Sequence, residues 1–231
     1  MSGSLLGTLV AELPAVLADL LRHTEIVGVA VRSKPAPESV MYAYDQKEFK
    51  AKWGLDWLKP FGFVDDYAIA VAPQVAAKYH LTTISSLVPV AKDLTAGIDA
   101  ECQNRPDCYS GLEKAYGLHF GSVLTMDHSL VYEVMASGKI QVTDAYTTDG
   151  ALAKYHLVLL KDDKPFFPIY YAAPVVNGKW AAAHPQAVKV LNELAGKVSA
   201  KVMQQLNYDL DTGHETVQKV AKVWLTQQGV V

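Results

Sequence analysis

The stretch Asp144-Ala-Tyr-Thr-Thr-Asp-Gly150, followed by Leu157-Val-Leu-Leu-Lys-Asp-Asp-Lys-Pro-Phe-Phe-Pro-Ile-Tyr-Tyr-Ala-Ala-Pro-Val-Val176, is the point from which the rest of the chain can be read. Leu157-Val-Leu-Leu160 is a short apolar run that reads as a strand, and so does Lys139-Ile-Gln-Val-Thr143 just before the first motif. Upstream, Tyr67-Ala-Ile-Ala-Val-Ala72 is a third such run, ended by Pro73. Between these runs, Pro106 to Tyr116 has helical spacing and stops at Gly117, and Asp127 to Ala136 has an acidic start and stops before Gly138. After Pro174 the chain reads as helical: Pro185 to Ala195, Ser199 to Leu206, and Thr216 to Gln228 with Gly229 beyond it. Strands alternating with helices of about ten residues predict α/β layers around a mostly parallel sheet.

A chain of 231 residues suits one large domain or two lobes of about 100 residues each. With 21 Lys and Arg against 24 Asp and Glu, the net charge is −3, so no broad basic face exists to meet a phosphate backbone, and nucleic acid is excluded as a partner. The longest apolar stretch, Leu5 to Leu21, carries Glu12, Pro14 and Asp19, which rules it out as a membrane span. Met1 to Ser4 lacks the basic start of a signal peptide, so none is expected in this chain.

Common enzyme signatures are missing from the sequence: Gly-x-Ser-x-Gly, the phosphate-binding Gly-x4-Gly-Lys-Ser/Thr and the dinucleotide-binding Gly-x-Gly-x-x-Gly. The seven histidines show neither His-Glu-x-x-His nor an i, i+4 pair, so they read as surface or hydrogen-bonded residues. Neither a metal nor another cofactor is expected. The acidic pairs Asp65-Asp66 and Asp162-Asp163 read as turn residues rather than acid–base pairs. Cys102 and Cys108, six positions apart, fit either a local disulfide or two reduced, partly buried thiols, because spacing does not fix bridge geometry.

Tyrosine outnumbers phenylalanine by 12 to 6, and Tyr67, Tyr146 and Tyr170 sit where strands begin or end, the part of an α/β sheet where ligand sites form. The face of a tyrosine ring carries negative potential, and several rings converging on one point make a box for a weakly hydrated cation such as a quaternary ammonium.

The Asp144–Gly150 and Leu157–Val176 motifs resemble those of the substrate-binding proteins of ABC importers for glycine betaine, choline, carnitine and related osmoprotectants. Further stretches agree in order: Trp57-Leu-Lys-Pro-Phe-Gly-Phe-Val-Asp-Asp-Tyr-Ala-Ile-Ala-Val71, Arg105-Pro-Asp107 with Gly111-Leu-Glu-Lys-Ala-Tyr-Gly117, and Leu191-Asn-Glu-Leu-Ala-Gly-Lys197 with Met203-Gln-Gln-Leu-Asn-Tyr208. The resemblance covers residues 40 to 231. It implies a two-lobed α/β periplasmic-binding-protein fold of type II, with residues 1–63 and 173–231 forming lobe I and residues 64–172 forming lobe II. It also implies a non-enzymatic receptor that closes around its solute and presents the closed form to ABC permease subunits. On that resemblance Tyr67, Tyr146 and Tyr170 line the box, Asp65 turns its backbone carbonyl to the ammonium group, and Arg105 pairs with a solute carboxylate. The implied location is extracytoplasmic, which is compatible with a Cys102–Cys108 disulfide.

Two departures stand out. Where the family carries Glu-Tyr-Thr-Gly-Thr, this chain has Glu25-Ile-Val-Gly-Val29, so Ile26 replaces a ring and Val29 a hydroxyl. Such losses weaken a quaternary ligand by about 0.5–2 kcal/mol and a charged hydrogen bond by about 1.5–3 kcal/mol, which keeps the expected solute class broad. The family also has a further strand–helix–strand unit before the residues matched here, so a first lobe shortened at its N-terminal side is expected. An exposed edge there would suit a homo-oligomer. These departures motivate an alternative, a non-transport member of the family acting as a structural or protein-interaction module with a degenerate ligand site.

Overall fold

The computed structural model describes residues 38–213 and 215–230. The expectations for Leu5 to Leu21, for Ile26 and Val29, and for a shortened N-terminal edge lie outside the described residues. The chain divides into two units: one is the segment ending at Asp65 with the segment beginning at Ile169, and the other is Asp66–Pro168. It therefore passes between units twice.

The first unit begins with helix α1 (Glu38–Trp53). Gly54, at φ +66, ends it by donating its N–H to the Lys50 carbonyl at 3.1 Å, a left-handed stop that glycine adopts without steric cost. Strand β1 (Leu55–Trp57) follows, and Phe49 of α1 packs edge-on against Trp57 at 5.0 Å between ring centres.

The second unit starts with β2 (Tyr67–Val71), whose five residues are all buried, as a continuous apolar run requires. Pro73 stops the strand and opens α2 (Pro73–Tyr79), where its missing N–H costs nothing. The chain continues through α3 (Ile84–Leu87), β3 (Thr95–Asp99), α4 (Ala100–Gln103), α5 (Tyr109–Tyr116), β4 (Ser122–Met126), α6 (His128–Ala136), β5 (Val142–Tyr146), α7 (Gly150–Lys154) and β6 (Val158–Leu160). The sheet order is β4-β3-β5-β2-β6.

The sheet is mixed, which corrects the expectation of a mostly parallel one: β3 runs parallel to β4 and β5, but β2 runs antiparallel to β5 and β6. The reason is where the chain enters. Tyr67 opens β2 opposite Tyr146, the last residue of β5, so the incoming strand must run against its neighbours. The strand expected at Lys139–Thr143 also lies later, at Val142–Tyr146. Gln141 is held in the preceding turn, its side chain donating to the Gly138 carbonyl at 2.9 Å and accepting from Thr95 N at 2.9 Å. The shift places Asp144 and Tyr146 on the strand itself.

Back in the first unit, β7 (Val175–Asn177) pairs antiparallel with β1. Helices α8 (Gly178–Ala183), α9 (Pro185–Glu193), α10 (Ala200–Gly213) and α11 (Val217–Gln227) follow. On α11, Val217, Val220, Ala221, Trp224 and Leu225 are buried, the spacing of one helical face. Val220, Ala221, Trp224 and Leu225 share a core with Leu58, Phe61 and Phe63 from the segment after β1 and with Leu191 and Leu194. The two segments that lead to the crossings are tied together within this unit: Asp65 donates its N–H to the Tyr170 carbonyl at 2.9 Å, and Val64 bridges Tyr171 antiparallel.

Candidate functional site

Directly opposed residues of an antiparallel pair point to the same face, and the β2–β5 register makes Tyr67 and Tyr146 such a pair. Their ring centres lie 4.9 Å apart at 35°, and the Tyr146 hydroxyl donates to the Tyr67 hydroxyl at 3.3 Å. Phe167 adds a third ring, 6.4 Å from Tyr67. Burial raises the pKa of both phenols, most strongly for Tyr146, which also loses its proton less readily because it is the donor of that hydrogen bond. Both rings are therefore neutral phenols at physiological pH, and any attraction for a cation comes from their faces.

Asp144, Thr147 and Asp149 of the Asp144–Gly150 motif each have an identifiable place. The Asp144 side chain, 1% exposed, accepts the Asp99 N–H at 2.8 Å and so ties the end of β3 to β5, while its second oxygen has no hydrogen-bond partner among the described residues. Burial pushes its pKa up to about 6. Thr147 accepts the Asp66 N–H through its hydroxyl at 3.1 Å and donates its own N–H to the Asp66 carbonyl at 3.0 Å, fixing the entry to β2. Asp149 stands at the N-cap position of α7 but makes no capping bond. Its Oδ2 instead accepts the Tyr146 N–H at 2.8 Å and the Tyr132 hydroxyl, and lies 3.2 Å from His128 Nε2.

His128 is the residue that the sequence did not single out. Its ring meets Tyr146 at 5.0 Å and 64°, and Tyr132 at 5.3 Å and 83°. The Nε2–Asp149 separation suits an ion pair, but neither ring nitrogen is aligned for a hydrogen bond. Burial lowers the pKa of His128, and Asp149, with Asp144 and Asp99 behind it, more than reverses that, so the net direction is upward.

Cys102 and Cys108 are joined in a disulfide, which settles the choice left open by their spacing. The bridge closes the loop that carries Arg105 and Asp107. Arg105 donates Nε and Nη2 to the two oxygens of Asp107 at 2.9 and 2.8 Å, and Nη1 to Glu101 at 2.9 Å. Thus held, its guanidinium carbon lies 5.6 Å from the centre of the Tyr67 ring. Gly111 of α5 supports the same loop, since a Cβ there would fall 1.8 Å from the Pro106 carbonyl oxygen.

Of the five expected site residues, Tyr67, Tyr146 and Arg105 are brought together in the second unit. Asp65 and Tyr170, expected on the same lobe, fall in the first unit, where they neighbour one another. The turn reading of Asp162 fits its contacts: its carboxylate accepts the N–H groups of Phe166 and Phe167 and the Tyr116 hydroxyl, and so shapes the loop bearing Phe167. The first unit also holds a cavity of about 690 Å³ between α10 and α11, lined among others by Tyr208, Asp209, Lys219 and Trp224. It contains none of the five residues, and the chemistry of the tyrosine pair is the stronger pointer.

Two α/β units joined by two crossings are the architecture of the two-lobed solute-binding class of protein. Residues 21–227 match the family described as the substrate-binding domain of ABC-type glycine betaine transport systems, and the chain belongs to that family. The carnitine transport binding protein OpuCC of Listeria monocytogenes is 35% identical over 190 residues, 81% of this chain and 61% of its own length. The ergothioneine transport permease/ergothioneine binding protein EgtU of Helicobacter pylori is 32% identical over 210 residues, 91% of this chain and 38% of its own length. The chain thus spans less than two thirds of these relatives. A crystal structure of a glycine betaine/carnitine/choline ABC transporter superposes with a TM-score of 0.78 at 36% identity, covering 92% of this chain and 76% of that one. The fold is the type II periplasmic-binding-protein fold.

Proposed function

We propose that the chain is the solute-binding component of an ABC importer, that it works outside the cytoplasm without enzymatic activity, and that it takes a quaternary ammonium or related cationic solute on the faces of Tyr67 and Tyr146. One observation carries this reading: the Arg105 guanidinium, a delocalised cation, already rests 5.6 Å from the Tyr67 ring centre. The surroundings favour positive charge further, since Glu101 and Asp107 act on Tyr67 and Glu101 and Asp144 on Tyr146. The relatives named above are binding or transport proteins, which favours this reading over a structural module. The disulfide suits an oxidising compartment.

In this proposal the cationic head docks on the tyrosine pair and Arg105, oriented by Asp107, meets an anionic end where the solute has one. Permease subunits recognise the closed, solute-loaded form. Calorimetric titration of the ligand-stripped chain with choline, glycine betaine, carnitine and a bulkier quaternary amine tests it. Saturable binding of at least one, abolished in the Tyr67→Ala/Tyr146→Ala double variant, is expected; a folded double variant that binds like the parent would overturn the assignment.

A further inference from the structure

We infer that His128 is a specificity-determining residue of the tyrosine pair: its imidazole packs on Tyr146 and pairs with Asp149, and the charge it carries sets how strongly that ring holds a cation. The inference rests on the solute-binding reading above.

The geometry is specific. His128 opens α6 directly after β4, and its ring contacts Tyr146 at 5.0 Å while Nε2 lies 3.2 Å from Asp149. The charged and titratable groups facing it are Asp149 and Asp144 from the β5 segment, Asp99 from the end of β3, and the phenols of Tyr132 and Tyr146. Asp149 Oδ2 is already engaged by the Tyr146 N–H and the Tyr132 hydroxyl, so the imidazole is held by charge and ring packing rather than by an aligned hydrogen bond. A histidine so placed, with carboxylates opposing its burial, keeps its proton to higher pH than a free imidazole.

The sign follows from Coulomb's law. With His128 neutral, the carboxylates leave negative potential beside Tyr146, which favours a cation. With His128 protonated, one of those charges is cancelled, and a cation on the ring meets a like charge within about 10 Å, worth roughly a three- to tenfold loss of affinity. A zwitterionic solute, whose two charges feel the imidazolium with opposite sign, loses less. His128 therefore discriminates a plain cation from a zwitterion, and does so more strongly as pH falls. Asp144, pushed up to about 6 by burial, loses its negative charge as pH falls and acts in the same direction, so the two must be separated experimentally.

The test is calorimetric titration of the full chain with choline between about pH 8 and about pH 5.5, where His charge changes. The parent should weaken about three- to tenfold, His128→Gln should show little change, and Asp144→Asn should keep most of the parent's slope. A His128→Gln variant with the parental slope would overturn the inference, and His128→Asn takes its place if the glutamine variant does not fold. A second arm needs no solute: in NMR titrations of the unliganded chain, the Tyr146 ring signals should follow the His128 midpoint, and signals that ignore it would equally overturn the inference. Failure of the parent to bind choline or any other cation would count against the solute reading, while the NMR arm still judges His128.

Discussion

Asp149 accepts the backbone N–H of Tyr146 at 2.8 Å and leaves the helix it precedes uncapped. A carboxylate that would ordinarily stabilise a helix end is thus spent on the strand residue that bears the ring. Replacing Asp149 with Ala strands the Tyr146 N–H and the Tyr132 hydroxyl, and about 2–4 kcal/mol of stability should be lost on denaturant unfolding. Asp149→Asn keeps an acceptor oxygen and should cost about 1 kcal/mol. Equal losses in the two variants would show that the acceptor role is not what matters.

Tyr146→Phe separates ring from hydroxyl. It removes the donor to Tyr67 but keeps the aromatic face, so cation affinity should stay within about threefold of the parent while stability falls by about 0.5–1.5 kcal/mol. Tyr146→Leu should lose the affinity. Matching affinities in the Phe and Leu variants would contradict a role for the ring face.

The Cys102–Cys108 bridge closes a short loop, and Cys102→Ser/Cys108→Ser should destabilise the chain by about 2–3 kcal/mol, as loop-closure entropy suggests. The same variant should bind a carboxylate-bearing solute disproportionately worse than choline, because Arg105 loses the frame that aims it. A uniform loss across both solutes would assign the bridge to stability alone.

Gly111→Ala probes that loop from the other side. A methyl group 1.8 Å from the Pro106 carbonyl oxygen must push backbone, at a cost of about 1–3 kcal/mol or more. An unchanged melting temperature would mean that the helix and loop separate freely.

The pH dependence of stability has a definite sign. Asp144, pushed up to about 6 in the fold by burial, has an unfolded value of about 4, so its ionisation penalises the native state in full above about pH 6 and is relieved as pH falls towards about 4. The folded pKa of His128 is also raised, so its contribution is present below its unfolded value of about 6.5 and is lost as pH rises through the folded value. Both effects favour mild acid. Unfolding midpoints in urea should rise from about pH 8 to about pH 5, with Asp144 supplying up to about 3 kcal/mol over its full range. Asp144→Asn should flatten much of the change, and a parental profile that falls over this window would contradict the assignment.

How far the sequence can be read depends on what each residue's signal is made of. Tyr67–Val71 is legible because five consecutive apolar residues ended by proline have few other uses. Thr95–Asp99 and Ser122–Met126 are not: the first mixes small and polar residues, and the second is an edge strand with mostly exposed side chains and no clean alternation. Tyr67, Tyr146 and Arg105 are singled out by motif order, and the fold brings the three side by side. His128 was missed because its partners Asp149 and Tyr146 reach it only through the packing of α6 against β5, which no local spacing encodes. A histidine opening a helix just after a strand, at the strand ends of an α/β sheet, is the signal that could have pointed to it. The disulfide was undecidable for the same reason: six positions of separation admit both outcomes until the loop has a shape.

The opposition of Tyr67 and Tyr146 is a property of main-chain pairing, set by the register of β2 against β5. A slip of one residue would put the two rings on opposite faces of the sheet, yet exchanging the side chains leaves the pairing untouched. Address and chemistry are therefore written in separate parts of the molecule. Substitutions at these two positions change what the paired faces offer, while the hydrogen-bonded frame that locates them stays as it was.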